Sequence, residues 1–487
     1  MSDPLDWVKE AIFYQIFPDR FARHETSKQP CRLQPWDSPP TRHGYKGGDL
    51  LGVADRLDYL QDLGVGAIYF NPIFQSTANH RYHTYDYYQV DPLLGGNSAF
   101  RILLKEAHRR GMRIILDGVF NHASRGFFQF NDILENGPDS PYLDWFRIRS
   151  FPLNAYAPNG TPNYEAWWNL PALPKFNVAN PAVREFLWGV AEHWIRQGID
   201  GWRLDVPEEI DDVAFWQEFR YRVKAANPEA YIVGEIWHPA QRWLRGDQLD
   251  AVMNYPFSRA CLGFFGSDKL NTGHRPGGFE LHSLDVTSFA DEIDQQLRLY
   301  DKDVTLVQFN LLGSHDTPRY RTLVGGDTQR VKLSVLFQMT YVGAPCIYYG
   351  DEIGIEGGSD PDCRRAMPWN EDLWDLDLLR YVQRSTAIRR RFRSLRTGDY
   401  QRLYASDGIY AFGRRSGDET VVVALNNSEA AVPLAIPVVG YLADGTRLTD
   451  AWNGECSVAQ IENGQLAGPV LPPYGSAVLS CPSHTAR

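Results

Sequence analysis

The sequence predicts a (β/α)8 barrel followed by an all-β sandwich, and three observations predict it. Eight short apolar, β-rich runs recur through the first four-fifths of the chain, and amphipathic stretches lie between most of them. Near residue 390 helical periodicity gives way to short strands with turn signals roughly every ten residues.

The runs read "AIFYQIF" (11–17), "AIYFNPI" (67–73), "RIILDGVF" (113–120), "IDGWRLDV" (199–206), "YIVGEIW" (231–237), "DAVMNY" (250–255), "VQFNLLGS" (307–314) and "PCIYYG" (345–350). Amphipathic segments such as "GVADRLDYLQDLG", "SAFRILLKEAHRRG" and "VAFWQEFRYRVKAANP" separate them. Strands alternating with helices imply a parallel sheet covered by helices, and eight of them favour a closed barrel over an open sheet. The spacing is uneven once, between "DGVF" and "GWRL", and a connection that long is usually functional. Residues 123–178 are therefore read as a small excursion domain between strand 3 and helix 3. The barrel then comprises residues 1–122 and 179–390, and the β-sandwich residues 391–487.

Composition narrows the function. The chain has 487 residues, 43% hydrophobic and 22% charged, with a formal net charge of −11. That charge argues against nucleic acid and anionic membranes as partners. The N-terminus shows no signal-peptide pattern, and no run approaches the roughly 20 apolar residues that span a bilayer. Six scattered cysteines (31, 261, 346, 363, 456, 481) without a C-x-x-C pair suit free thiols in the cytoplasm. In that compartment the sequons at Asn159 and Asn426 are chance matches.

In such a barrel, function collects at the C-terminal ends of the strands. Four ends carry polar groups foreign to a core: "DGVFNH" (117–122), "GWRLDVPEE" (201–209), "GEIWH" (234–238) and "LLGSHDTPR" (311–319). They bring Asp117, Asn121, His122, Arg203, Asp205, Glu235, His315 and Asp316 toward one pocket. Any one of these fragments alone reads as a structural ion pair or cap; four at strand ends in order do not. A retaining glycosidase needs an ionised carboxylate nucleophile and a second carboxyl group kept protonated. Asp205 fits the first, because Arg203, two residues back on one strand face, favours its charged form. Glu235 fits the second, since nearby negative charge and an apolar surround raise its pKa.

These four segments resemble the signature regions of the α-amylase family of glycoside hydrolases. The resemblance extends to "GVGAIYFNPIF" (64–74), "RYHTYDYYQVDPLLG" (81–95) and "GAPCIYYGDEIG" (343–354) and covers nearly the whole chain. It implies a retaining mechanism on α-glucosidic bonds. Asp205 is then the nucleophile, Glu235 the general acid/base and Asp316 the third carboxylate, holding hydroxyls of the distorted sugar. It further implies that Tyr82 stacks on the cleaved sugar while His122, Arg203 and His315 hydrogen-bond it. "LPKFN" (173–177) and "GWRLDV" followed by Glu209 are similar to the neopullulanase, cyclomaltodextrinase and maltogenic amylase group. That group is intracellular, acts on short linear, branched or cyclic maltodextrins at α-1,4 and often α-1,6 bonds, and has residues matching Glu209 and Trp237 on its acceptor side. A transglycosylase or glycosyl isomerase, or an α-glucosidase or debranching specialist, would use the same covalent intermediate.

Three departures from the group's pattern bear on these expectations. The barrel begins near residue 7, where the group usually carries an extra N-terminal β domain, so its dimer mode is not assumed and the oligomeric state stays open. "VPEE" replaces the usual Val-Ala-Asn-Glu beside the acceptor side. Glu209 stands where secreted amylases place a calcium-binding histidine, and "RHETSKQP" (23–30) lacks the Asn/Asp-rich calcium loop. The sequence therefore supports no calcium site, and no metal or other cofactor is expected. Trp167 and Trp168, in "NYEAWWNLP", either form the core of the excursion domain or wall the cleft. "GYKGGDLLGV" (44–53) lacks a preceding strand and reads as a turn and helix start rather than a phosphate loop.

Overall fold

The computed structural model describes residues 4–25, 32–156, 160–452 and 457–481; Cys31, Cys456, Asn159 and part of the 23–30 loop lie outside them. Eight parallel strands form the barrel: β1 Phe13–Ile16, β2 Ala67–Phe70, β3 Arg113–Gly118, β4 Gly201–Leu204, β5 Tyr231–Gly234, β6 Ala251–Val252, β7 Phe309–Leu311 and β8 Ala344–Tyr348. Their order is β6-β5-β4-β3-β2-β1-β8-β7, and a parallel bridge from Met253 to Phe309 joins the two ends, closing the ring. Each strand is shorter than its apolar run, so the polar groups at the ends of the runs fall at or just beyond the strand termini.

Strand alternation decides what the barrel holds. Phe13, Tyr69, Ile115, Tyr231, Val233, Phe309 and Cys346 fill the lumen. Their neighbours Tyr14, Ile68, Ile114, Trp202 and Ile232 pack outward against the helices. With both faces covered, every residue of β1, β2, β4 and β5 is buried, which explains runs without polar alternation. Continuing the same period of two toward the C-terminal ends places Gln15, Asp117, Arg203, Asp205 and Glu235 above the lumen. Gly201 lets β4 approach β5, since a Cβ there would stand 2.1 Å from the Tyr231 carbonyl oxygen.

The connection after β2 carries a two-stranded hairpin, Phe74–Ser76 with Thr84–Val90, whose turn delivers Tyr82. After β3 the chain forms a helix, Phe128–Asn136, and a set of antiparallel bridges, Phe146 to Phe176, Ile148 to Tyr164, Ala166 to Pro174 and His122 to Lys175. Phe130, Phe146, Tyr164 and Phe176 are the buried apolar centre of this excursion. Asn180 then accepts from the Ala182 amide and starts the helix Pro181–Arg196 that returns to the barrel. Asp49 caps Leu50–Ala54 through the Gly52 amide, so "GYKGGDLLGV" is a turn and helix start.

The C-terminal strands are β9 Asp399–Ser406, β10 Ile409–Ser416, β11 Glu419–Asn426, β12 Val432–Pro437, β13 Arg447–Asp450, β14 Ser457–Glu462, β15 Gln465–Leu471 and β16 Ser476–Cys481. They are antiparallel in the order β9-β10-β11-β16-β13-β14-β15-β12 and fold over one another as a sandwich. Arg414, buried on β10, joins the sandwich to the barrel by donating to the Thr340 carbonyl. Cys261, Cys346 and Cys363 are buried free thiols. Among the described residues no helix is long and apolar enough to cross a membrane.

Behind β8 a buried carboxyl predicts a pH-dependent stability. Glu352 Oε1 accepts from Tyr14 (2.7 Å) and Tyr59 (2.6 Å), while its buried Oε2 has no partner. Burial pushes its pKa up from 4.5 to about 7. A folded-state value above the unfolded one means the stabilisation is complete below pH 4.5 and is lost as pH rises through about 7. The loss is on the order of 3 kcal/mol. Glu352→Gln keeps an acceptor for both tyrosines, so its unfolding free energy should vary less than wild type between pH 5 and 9; equal pH slopes would contradict this.

Candidate active site

The barrel mouth is organised around one guanidinium. Arg203, on β4 and wholly buried, donates from Nη1 to both oxygens of Asp117 (2.9 and 3.0 Å) and to Asp205 Oδ1 (3.1 Å). Its Nη2 faces Glu235 Oε2 at 3.0 Å, an ion-pair contact off the hydrogen-bonding direction. Its Nε points at Met253 Sδ, 3.4 Å away. Three carboxylates from β3, β4 and β5 thus share one positive charge. The expected Arg203–Asp205 pairing is present, although Asp205 lies one residue past the end of β4.

The charge state of Asp205 differs from the sequence expectation. Burial is the strongest influence and pushes Asp205 well above the usual carboxylate range; Arg203 pulls it down, and Glu235, Asp117 and Asp316 push it up again. Arg203, divided among three carboxylates, offsets only part of the burial that raises each of them. Glu235 rises for the same reason, burial opposed by Arg203, to about 7. The two titrate as a pair, and one proton held between them is what an acid-plus-nucleophile site requires.

The backbone helps set that pair. Val206 adopts φ 36°, ψ 54°, a left-handed conformation rare for a β-branched residue and costing about 1–3 kcal/mol. The kink turns the chain into the short helix Pro207–Glu209 and aims the Val206 amide at Glu235 Oε2, 3.2 Å away. Trp237 Nε1 donates to Glu235 Oε1 (3.1 Å). The Trp237 ring lies on Tyr255, centroids 3.4 Å apart, and Gly277 packs closely against the indole, where a Cβ would meet it at 2.4 Å. Beside it opens a small, mainly apolar recess lined by Tyr255, Arg259, Phe279, Leu312 and Thr317.

The opposite wall is a chain of hydrogen bonds. Gln15 Nε2 donates to Asn71 Oδ1 (3.0 Å) and to His315 Nδ1 (2.9 Å). His315 therefore carries its proton on Nε2, which reaches Tyr82 Oη at 2.7 Å and Asp316 Oδ2 at 3.0 Å. Burial keeps the imidazole neutral by lowering its pKa. Tyr82 donates to Asp117 Oδ2 (2.8 Å) and stacks on His315, interplanar angle 5°. Asp316 is 32% exposed and is held by Arg364 at 3.1 Å. His122, pushed down to about 3 by burial, accepts at Nδ1 from Asn121. Glu209 lies farther out on the rim, paired with Lys175 of "LPKFN" at 2.8 Å.

The structure brings Asp205, Glu235, Asp316, Tyr82, His122, Arg203 and His315 to one mouth, with Trp237 and Glu209 at its edge. Sequence reasoning missed Gln15, Asn71, Tyr69 and Arg364. The glutamine in "IFYQIF" was a signal, a polar side chain in a buried strand; Arg364, in the loop after β8, carried none. Trp167 stacks on His122, centroids 5.1 Å apart, and Trp168 is 74% exposed, so the pair is not the excursion's core.

A closed barrel with three buried carboxylates at its C-terminal mouth defines the frame of a glycoside hydrolase. The α-amylase catalytic-domain model matches residues 15–375, and the neopullulanase-like C-terminal-domain model matches residues 400–480. The chain belongs to the α-amylase family. It is 45% identical over 474 residues to a cyclomaltodextrinase of Geobacillus thermopakistaniensis, covering 96% of this chain and 76% of that one. A solved structure from Thermus thermophilus, Ttha1563, is 50% identical with a TM-score of 0.93, covering 97% and 99% of the two chains. A native-form debranching enzyme of Nostoc punctiforme is 47% identical with a TM-score of 0.89, covering 97% and 98%.

Proposed function

We propose that this glycoside hydrolase cleaves α-1,4 and α-1,6 glucosidic bonds of short linear, branched or cyclic maltodextrins with retention of configuration. The observation that carries the mechanism is Arg203 standing between Asp205 and Glu235, at 3.1 and 3.0 Å. In the proposed reaction Glu235 gives its proton to the departing glycosidic oxygen while Asp205 attacks the anomeric carbon. Water, deprotonated by Glu235, then releases the sugar from Asp205. Asp316 and the protonated Nε2 of His315 would hold sugar hydroxyls as the ring flattens, and His122 Nε2 would take another. Such contacts accelerate the reaction when they tighten in the transition state.

The substrate range is supported by the relatives' names, which span cyclodextrin cleavage and debranching. The test is a product time course on β-cyclodextrin, maltotriose, pullulan, panose and soluble starch. Opening of the cyclodextrin and cleavage of panose are both expected; if neither is touched, the proposal fails. The raised Glu235 adds a pH signature. kcat/KM should fall as pH rises through about 7, when the acid loses its proton. A profile flat from pH 6 to 9 would count against Glu235 as the acid.

We also propose that activity needs no metal and that the enzyme is cytoplasmic. The Glu209 carboxylate is taken by Lys175, and buried Asp19 by Arg20 and by the Lys46 and Gly47 amides. Dialysis against EDTA should leave the rate and the unfolding midpoint unchanged, and a loss restored by calcium would reverse this. The buried free thiols Cys261, Cys346 and Cys363 support a reducing compartment.

A further inference from the structure

We propose that Trp168 is a stacking platform for a glucosyl unit lying outside the cleavage pocket, and that it sets the preference for longer or branched chains. The inference rests on the α-glucan reading of the cleft.

The rings of His122, Trp167 and Trp168 form a continuous ladder from the buried pocket to solvent. Trp167 lies on His122 at 5.1 Å and 13°, and Trp168 lies on Trp167 at 4.5 Å and 14°. Trp168 is 74% exposed, and among the described residues Trp167 is its only ring partner. One indole face is therefore seated and the other is open.

The local backbone maintains this arrangement against its own preferences. Trp168 and Asn169 both have positive φ, 50° and 56°. A left-handed conformation is costly for a bulky residue, and such outliers cluster at ligand-contacting sites. The loop is nonetheless tightly tied: Trp167 N donates to the Leu173 carbonyl, Asn169 N to Ala166, Leu170 N to Trp167 and Leu173 N to Leu170. A strained, fixed loop that leaves one face of an indole open to water gives up packing on that face.

Among the described residues the buried Nε1 of Trp167 makes no hydrogen bond. A pyranose matches this surface: its C–H face covers an indole, and its rim hydroxyls accept from ring N–H groups. The rigid indole loses little freedom on binding, which is why aromatic platforms recur where flat ligand units are held without fixed sequence. The same hairpin ends at Lys175, whose ammonium pairs with Glu209 on the cleft rim, so a chain leaving the pocket along this wall passes Trp168.

The test compares maltotriose with maltoheptaose for wild type, Trp168→Asn and Trp168→Phe, with unfolding midpoints measured alongside. Asparagine accepts a left-handed backbone, so it removes the ring without adding strain. Trp168→Asn should raise KM for maltoheptaose about tenfold, the order of one lost stacking contact. It should leave kcat, and both constants for maltotriose, within about twofold. Trp168→Phe should recover most of the loss. Equal losses on both substrates, no loss on either, or a midpoint that drops with the ring would overturn the platform. Wild-type inactivity on both oligosaccharides would instead overturn the reading of the cleft, and the platform with it.

Discussion

Asp205→Asn is expected to fold as wild type and to lose roughly 10⁴-fold or more in kcat, the scale seen when a nucleophile is removed. The side chain keeps its shape, and its Oδ1 still accepts from Arg203. What disappears is the anion that would attack the anomeric carbon. Because burial already raises Asp205, exchanging it for a neutral amide should change the unfolding midpoint little. Assay on maltotriose together with thermal unfolding checks both halves. A variant retaining more than about a tenth of the wild-type rate would remove Asp205 from the chemistry.

The second large effect concerns Arg203→Met. Asp117, Asp205 and Glu235 would be left buried around a thioether, and removing one partner of a buried ion pair typically costs about 3–5 kcal/mol. The deficit should depend on pH in a defined direction. Without the guanidinium the three carboxyls, already raised by burial, rise further and hold protons in the folded state that the unfolded chain releases. Stability of the variant therefore grows as pH falls below about 7 and shrinks as pH rises through it. Denaturant titrations at pH 5 and pH 8 should show the larger deficit at pH 8. A deficit equal at both would mean that Arg203 acts through packing alone.

What the sequence made legible follows from strand parity. Apolar runs ending in Asp, Glu or His identify barrel strands because a lumen filled by Phe13, Tyr69 and Phe309 tolerates polar groups only at its mouth. The same parity places Arg203 beside Asp205 on one face of the strand. The division of Arg203 among three carboxylates was not legible, since Asp117 and Glu235 arrive from other strands. Tyr82 was singled out for sugar stacking, but its hydrogen bonds to Asp117 and His315 depend on a hairpin turn that periodicity does not encode. Trp168 left both readings open in the sequence. Its exposure depends on a pair of positive φ angles, which residue types other than glycine do not announce.

The central claim is that one covalent intermediate on Asp205 links cleavage to water attack. Proton NMR of freshly released maltose or glucose tests it most directly, by recording the anomeric signal before mutarotation. Retention through a covalent intermediate on Asp205 means that the α-anomer appears first and the β-anomer grows in only at the mutarotation rate. Initial release of the β-anomer would mean a single direct displacement by water, and would contradict Asp205 as nucleophile.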